Sequence, residues 1–179
     1  MHAALAPPFT FLIDRVAYDG VDVRAFLRES APKGSVDFGC GVGFSTSDIG
    51  VDASSAMLGV AKRLHPEKRF TSGLVERWGQ PNMTTHVSIA FLLHEQPQDR
   101  RLRILQNAKR ISTDRIIIMD IHPSYRPSPM MLTGEPFLVD YLEHIDRDVC
   151  DVFPDAEVRD VFPGRVRIWN VTQPSAAGD

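Results

Sequence analysis

The sequence predicts an open α/β sheet, mainly parallel, with helices on both faces and an antiparallel hairpin at its end. Three observations carry this. Strand-like and helix-like segments alternate between residues 35 and 171. Arg115-Ile116-Ile117-Ile118-Met119-Asp120-Ile121 is a near-continuous β-branched run, as suits a parallel strand covered on both faces. The last two extended segments, about 157–161 and 165–171, flank Phe162-Pro163-Gly164, a tight turn.

In chain order, Pro7-Pro8 breaks regular structure, and 9–16 and 21–28 read as short helices in a lead-in. Pro32-Lys33-Gly34 is a turn before a first strand at 35–38. A second strand follows at 49–52. Ser54 then caps a helix to about residue 64, with Met57, Leu58, Ala61 and Leu64 at helical spacing and His65-Pro66 as its stop. Residues 69–71 form a third strand, 73–79 a loop and 86–91 a fourth strand. Pro97 opens a helix to about 111, with Leu102, Leu105 and Ala108 on one face. After the fifth strand at 115–121, the Pro- and Ser-rich stretch 122–135 reads as a loop. A helix over about 136–150 precedes the closing hairpin.

The totals bound the class. The chain has 179 residues and a net charge of −3, which gives no electrostatic bias toward nucleic acid or an anionic membrane. No run of about 18 apolar residues is present and the first residues lack a basic, apolar leader, so a cytoplasmic protein is expected. Cys40 and Cys150 have neither metal nor redox spacing, and no His/Asp/Glu set has a metal-ligand spacing.

The organising stretch is Val36-Asp37-Phe38-Gly39-Cys40-Gly41-Val42-Gly43, with Gly50-Val51-Asp52 after it. A strand, a glycine turn and a second strand ending in a carboxylate suit a nucleotide-like ligand. Glycines let the backbone approach it, and the carboxylate accepts from a ribose diol. A nicotinamide site would want Gly-x-Gly-x-x-Gly and an acid about 20 residues on. Here the third position falls on Phe44 and Asp52 comes too early. Only ten residues, 39–48, join the two strands, whereas a parallel crossover normally takes a dozen or more and a helix.

These segments, in their order and spacing, resemble the class I S-adenosylmethionine-dependent methyltransferases over roughly residues 35–171. Asp37-Phe38-Gly39-Cys40-Gly41-Val42-Gly43 is similar to the family's acidic-x-Gly-x-Gly-x-Gly motif. Gly50-Val51-Asp52-Ala53-Ser54-Ser55-Ala56-Met57-Leu58 is similar to its second motif. Phe91-Leu92-Leu93-His94-Glu95 and Asp120-Ile121-His122-Pro123 resemble the segments after its fourth and fifth strands. The resemblance implies a seven-stranded Rossmann-like sheet whose first helix, after the glycine motif, is shortened or missing. The domain organisation expected is a lead-in or lid over 1–34, the cofactor-binding methyltransferase domain of the resemblance over 35–172 and a disordered tail over 173–179.

S-adenosylmethionine is the implied cofactor, with a small molecule as the partner that accepts a methyl on O, N or S. By position, Asp37 belongs to the cofactor motif, and Gly39, Cys40 and Gly41 line the methionine portion. Asp52 binds the ribose, Ala53 and Met57 flank the adenine, and Val75 and Glu76 read the adenine amine. Ala90 and Phe91 lie near the sulfonium. The alternative, which the short crossover supports, is a non-catalytic binding or interaction protein on the same fold.

Beside these stand acceptor-side candidates. Histidine's ordinary pKa near neutrality suits a proton acceptor, and His94 is followed by Glu95, at the sheet edge where ligands bind; a helix-capping role is equally compatible with the sequence. His122, Ser124 and Tyr125 follow the fifth strand, as substrate contacts or as plain loop residues. Gly134-Glu135-Pro136-Phe137 and Tyr141 are a pocket wall or core. Arg100, Arg101, Arg103, Lys109 and Arg110 read as a solvated helix face, as do His144, Asp146 and Asp148.

Overall fold

The computed structural model describes residues 18–173. Within that span the elements are α1 (Ala25–Ser30), β1 (Val36–Phe38), β2 (Ile49–Asp52), α2 (Ser55–Leu64), β3 (Arg69–Ser72) and β4 (Thr84–Ala90). After a 3₁₀ turn at Leu93–Glu95 come α3 (Gln98–Ile111), β5 (Ser112–Ile121), α4 (Pro129–Gly134), α5 (Leu138–Val152), β6 (Glu157–Phe162) and β7 (Val166–Thr172). The predicted helix at 9–16 and the tail from 174 lie outside the described residues.

The seven strands form one sheet in the order β3-β2-β1-β4-β5-β7-β6. All pairings through β5 are parallel, and β7 runs antiparallel to both β5 and β6. The predicted fold class is the one observed. Chain order reverses at β1, which lies between β2 and β4, and this is where open α/β sheets bind ligands.

Alternation along each strand sorts the core. Val36, Phe38, Val51, Val87, Ile89, Ile116 and Ile118 pack on α3 and α5, through Ile104, Leu105, Ala108, Tyr141, Ile145 and Val149. On the opposite face, Ile117, Met119, Val166 and Ile168 meet Val23 and Leu27 of the lead-in.

The stretch 122–135 is not wholly loop. Ser128 accepts from the Met131 N–H at 3.2 Å and Pro129 takes the first helical position, so a proline that looked like a breaker starts α4. The basic face of α3 also needs correction. Arg101 is 0 % exposed: its Nε donates to Asp148 at 2.9 Å, and its two other nitrogens donate to Asp140 at 2.8 Å and the Gln96 carbonyl at 2.9 Å. Asp148, read as solvated, is the buried partner, and Gln98 also donates to it. Asp146 accepts from Arg167 and from the Trp169 indole.

Among the described residues no helix connects β1 to β2. Asp37 holds the ten-residue crossover instead. Its Oδ2 accepts from the Ser45 hydroxyl at 2.8 Å and the Thr46 hydroxyl at 2.7 Å, and its Oδ1 accepts from Ser88 of β4 at 3.0 Å. The Asp48 carboxylate accepts from the Gly34 N–H at 2.6 Å, and the Ser35 and Ser47 hydroxyls hydrogen-bond one another.

A candidate cofactor cleft and the groups at its mouth

The glycine turn leaves β1 and folds back on the end of β2. The Gly39 and Cys40 N–H groups both donate to the Val51 carbonyl, at 2.8 and 3.1 Å. Gly39 has φ +67°, which favours glycine, and a Cβ there would sit 2.7 Å from Leu92 Cδ1, so any other residue would also have to displace the Leu92 side chain. Asp52, at the tip of β2, fixes the turn from the other side. Its Oδ2 accepts from the Gly41 N–H at 2.8 Å and its Oδ1 from the Ser54 N–H at 2.7 Å. A carboxylate has about four lone-pair sites, so two stay open to a ligand's hydroxyls.

A cleft of about 400 Å³ opens over these strand ends. Of the predicted cofactor residues, Gly39, Cys40, Gly41, Asp52, Ala53, Met57, Val75, Glu76 and Phe91 line it. Asp37 does not: it is buried behind the turn, holding the crossover. Ala90 lies in the core on the lead-in side of the sheet. Cys40 is buried against Leu58 and Phe70, and burial pushes its thiol pKa far up, which is the reverse of a reactive cysteine. Phe91 follows β4 with φ +52°, its N–H held by the Met119 carbonyl, and the Arg24 guanidinium stacks over its ring at 4.4 Å.

Sequence reading missed Arg24, Gln96 and Arg100, which also line the cleft. Arg24 comes from the lead-in, far from any motif. Arg100 lies 3.7 Å from Glu76.

The predicted acceptor residues divide. Glu95 lines the cleft and His94 sits beside it, 7 % exposed. Asp120, at the end of β5, sets the imidazole: its Oδ1 is 2.6 Å from His94 Nδ1, and its Oδ2 accepts from the Leu93 N–H at 2.8 Å. Burial works against protonation of His94. The Asp120 charge and hydrogen bond outweigh it, with Glu95 and Glu135 behind them, and raise the pKa above the ordinary value. Burial, opposed by His94 and helped by Glu135, raises that of Glu95.

His122 is elsewhere. Its Nδ1 accepts from the Ser124 N–H at 3.0 Å, and Nε2 lies 2.9 Å from Arg167 and 3.3 Å from Asp160. Tyr125 lines a separate cleft of about 440 Å³ with Pro127, Leu132, Val139 and Leu142. Tyr141 is core, its hydroxyl donating to the Ile121 carbonyl at 2.7 Å, whereas Phe137 is exposed.

No protein-family model matches the sequence, and no curated protein matches it either. Solved structures do match. A methyltransferase from Thermotoga maritima, described as S-adenosylmethionine-dependent and a possible histamine N-methyltransferase, is 15 % identical; the match covers 96 % of this chain and 97 % of that one, with a TM-score of 0.70. Phosphoethanolamine N-methyltransferase 2 of Haemonchus contortus, solved with phosphomonomethylethanolamine and S-adenosylhomocysteine, is 16 % identical over 87 % of this chain and 54 % of that chain, with a TM-score of 0.66. Magnesium protoporphyrin IX methyltransferase of Synechocystis PCC 6803, with bound S-adenosylhomocysteine, is 16 % identical over 91 % and 84 %, with a TM-score of 0.60. The fold is that of the class I S-adenosylmethionine-dependent methyltransferases, with the β1–β2 helix absent among the described residues.

Proposed function

We propose that the protein binds S-adenosylmethionine in the cleft over β1, β2 and β4 and transfers its methyl to a small-molecule acceptor. The observation that carries this is the pairing of the glycine turn with Asp52, whose carboxylate keeps acceptor capacity facing a cleft of cofactor size. The matched structures supply the fold, and two of the three are described with S-adenosylhomocysteine bound.

In this reading Asp52 accepts the ribose hydroxyls, and Ala53 and Met57 flank the adenine. Val75 and Glu76 meet its amine edge. Gly39, Cys40 and Gly41 pass along the methionine portion, and Arg24, within the same cleft, offers a cation to its carboxylate. Asp37 acts indirectly, by holding the crossover behind the turn. The described lead-in, through Arg24 stacked over Phe91, closes one side of the cleft as a lid would. The cofactor supplies a methyl on a sulfonium, and the protein's task is to aim an acceptor at it in line. Where the acceptor must lose a proton, His94 is positioned to take it, because Asp120 fixes the ring through Nδ1 and leaves Nε2 open.

A second reading has its own observation. No helix N-terminus from a β1–β2 helix faces the cleft, so a ligand there forgoes that helix's dipole. A non-catalytic cofactor-binding or interaction protein on the same fold fits this. Calorimetry with S-adenosylmethionine, S-adenosylhomocysteine and NADH tests the site. Binding of the first two and not the third is expected, and no heat from either would sink the proposal. Slow release of S-adenosylhomocysteine from S-adenosylmethionine over a panel of amines, phenols and thiols then separates an enzyme from a binder.

A further inference from the structure

Three metal-ligating groups, two adjacent in sequence and the third from a different element, meet at the mouth of the cleft. A ring nitrogen of His94 and one carboxylate oxygen each from Glu95 and Glu135 lie within 4.8 Å of one another. His94 and Glu95 come from the 3₁₀ turn after β4, and Glu135 from the end of α4, where its N–H donates to the Met131 carbonyl at 2.9 Å. Asp120 occupies His94 Nδ1, so Nε2 is the nitrogen left for the glutamates, and it makes no hydrogen bond among the described residues. The ring is fixed: Asp120 is itself held by the Leu93 and Ile121 N–H groups, and Tyr141 packs against the imidazole at 6.1 Å. Neither glutamate pairs with a lysine or arginine among the described residues.

We propose that His94 Nε2, Glu95 and Glu135 bind one divalent cation of the zinc, cobalt or manganese type. One nitrogen and two carboxylate oxygens suit such ions, and three protein ligands leave positions open to water or substrate. A carboxylate that holds the distal nitrogen of the ligating histidine is the usual outer support of such a site, and Asp120 is placed as one. The spacing is close to sufficient. Donors at the corners of a triangle with 4.8 Å edges lie about 2.8 Å (4.8/√3) from its centre, so each moves less than an ångström to reach about 2.0–2.2 Å. Rotamer changes of the exposed Glu95 and the half-buried Glu135 supply that movement.

Glu95 also lines the cofactor cleft, so the cation would stand where an acceptor enters and take an acceptor oxygen as a further ligand. That role rests on the proposed function; the site itself does not. In the loaded form His94 is a ligand and not a proton acceptor.

The test uses the full chain carrying Cys150→Ser, since Cys150 is an exposed thiol, stripped with a chelator and titrated with Co²⁺, then with Zn²⁺ and Mn²⁺. One equivalent is expected, with the visible absorption of nitrogen- and oxygen-ligated Co²⁺. Glu135→Gln and Glu95→Gln should each weaken uptake at least 10-fold, and Asp120→Asn by about 10–100-fold. Circular dichroism confirms that each variant is folded, and Glu95→Gln, altered at an exposed side chain, decides the matter if Asp120→Asn is not. No stoichiometric uptake, or uptake that neither glutamate variant changes, overturns the site. Calorimetry with S-adenosylhomocysteine is read separately: metal uptake without it leaves the cation site standing and removes the proposed function.

Discussion

Replacing Asp52 by alanine tests the ribose assignment. The carboxylate has two jobs: it accepts the Gly41 and Ser54 N–H groups, and its remaining lone pairs are the ones assigned to the ribose hydroxyls. A hydrogen bond to a charged group contributes about 1.5–3 kcal/mol, so losing two to the ligand costs about 3–6 kcal/mol. At 1.4 kcal/mol per decade this weakens S-adenosylhomocysteine binding by about 10²–10⁴-fold. The lower end is expected, since the cleft is open and water can reach the freed hydroxyls. Loosening of Gly41 works in the same direction. Asp52→Asn serves as the graded control. Its amide has one acceptor oxygen, so one of the two backbone N–H groups must face an NH₂, and an intermediate loss follows. Calorimetry gives the dissociation constants, and urea midpoints show whether the variants remain folded. A folded Asp52→Ala protein that binds S-adenosylhomocysteine within about threefold of the parent would refute the assignment.

The other predictions concern catalysis and stability. His94→Gln should lower methyl transfer by about 10²–10⁴-fold if His94 is the proton acceptor, while the S-adenosylhomocysteine dissociation constant stays nearly constant; equal losses in both would make the residue structural. Arg101→Met strands the buried Asp148 and should cost about 3–5 kcal/mol in urea unfolding, most of it recovered in Arg101→Met/Asp148→Leu. A loss under about 1 kcal/mol would mean that the pair is not buried as described. His86 lies on β4 with its Nε2 unpartnered among the described residues; burial first, then Arg115, against an opposing pull from Asp114, lowers its pKa from 6.5 to about 4. The unfolded chain therefore takes the proton first. Stability falls as pH drops from about 6.5 toward 4, by about 2–3 kcal/mol once screening is allowed for. His86→Leu should flatten that part of the stability–pH curve, and parallel curves for parent and variant would contradict the burial of this imidazole.

What could be read from the sequence was what local pattern dictates. The isoleucine run of β5, the glycine turn, the acid at the end of β2 and the Phe162-Pro163-Gly164 turn each act within a few residues, and together they specified the sheet. What stayed hidden depends on partners distant in the chain. Helical periodicity marks Arg101 as polar, and nothing in α3 announces that Asp140 and Asp148 of α5 will enclose it. Glu135 meets His94 and Glu95 only because α4 forms, and α4 was masked by a proline that starts a helix as readily as it ends one. Arg24 reaches the cleft from a lead-in without any motif. Asp37 was legible as part of the motif but not as the residue that binds the crossover.

The crossover shows how a sheet of this kind can omit a covering helix. Register pairs Asp37 with Gly50 on one side and Ser88 on the other, so these three share the face opposite the α3–α5 core. An apolar trio there would need a helix above it. A carboxylate, a glycine and a serine do not. Gly50 leaves the space that Cys40 Sγ and Phe70 fill, each 2.7 Å from where its Cβ would be. Thr46, at 0 % exposed, and Ser45 lie over Asp37 and donate to it, so the buried polar groups are satisfied by the loop that covers them. Burial nonetheless raises the Asp37 pKa against the pull of the Thr46, Ser45 and Ser88 hydroxyls, so the charged form is held at a cost. The same residue lies on β1 directly before the glycine turn that lines the cleft. The ten-residue connection therefore closes without a helix because Asp37 anchors it through Ser45 and Thr46, while the Val51 carbonyl and Asp52 hold the glycines that line the cleft.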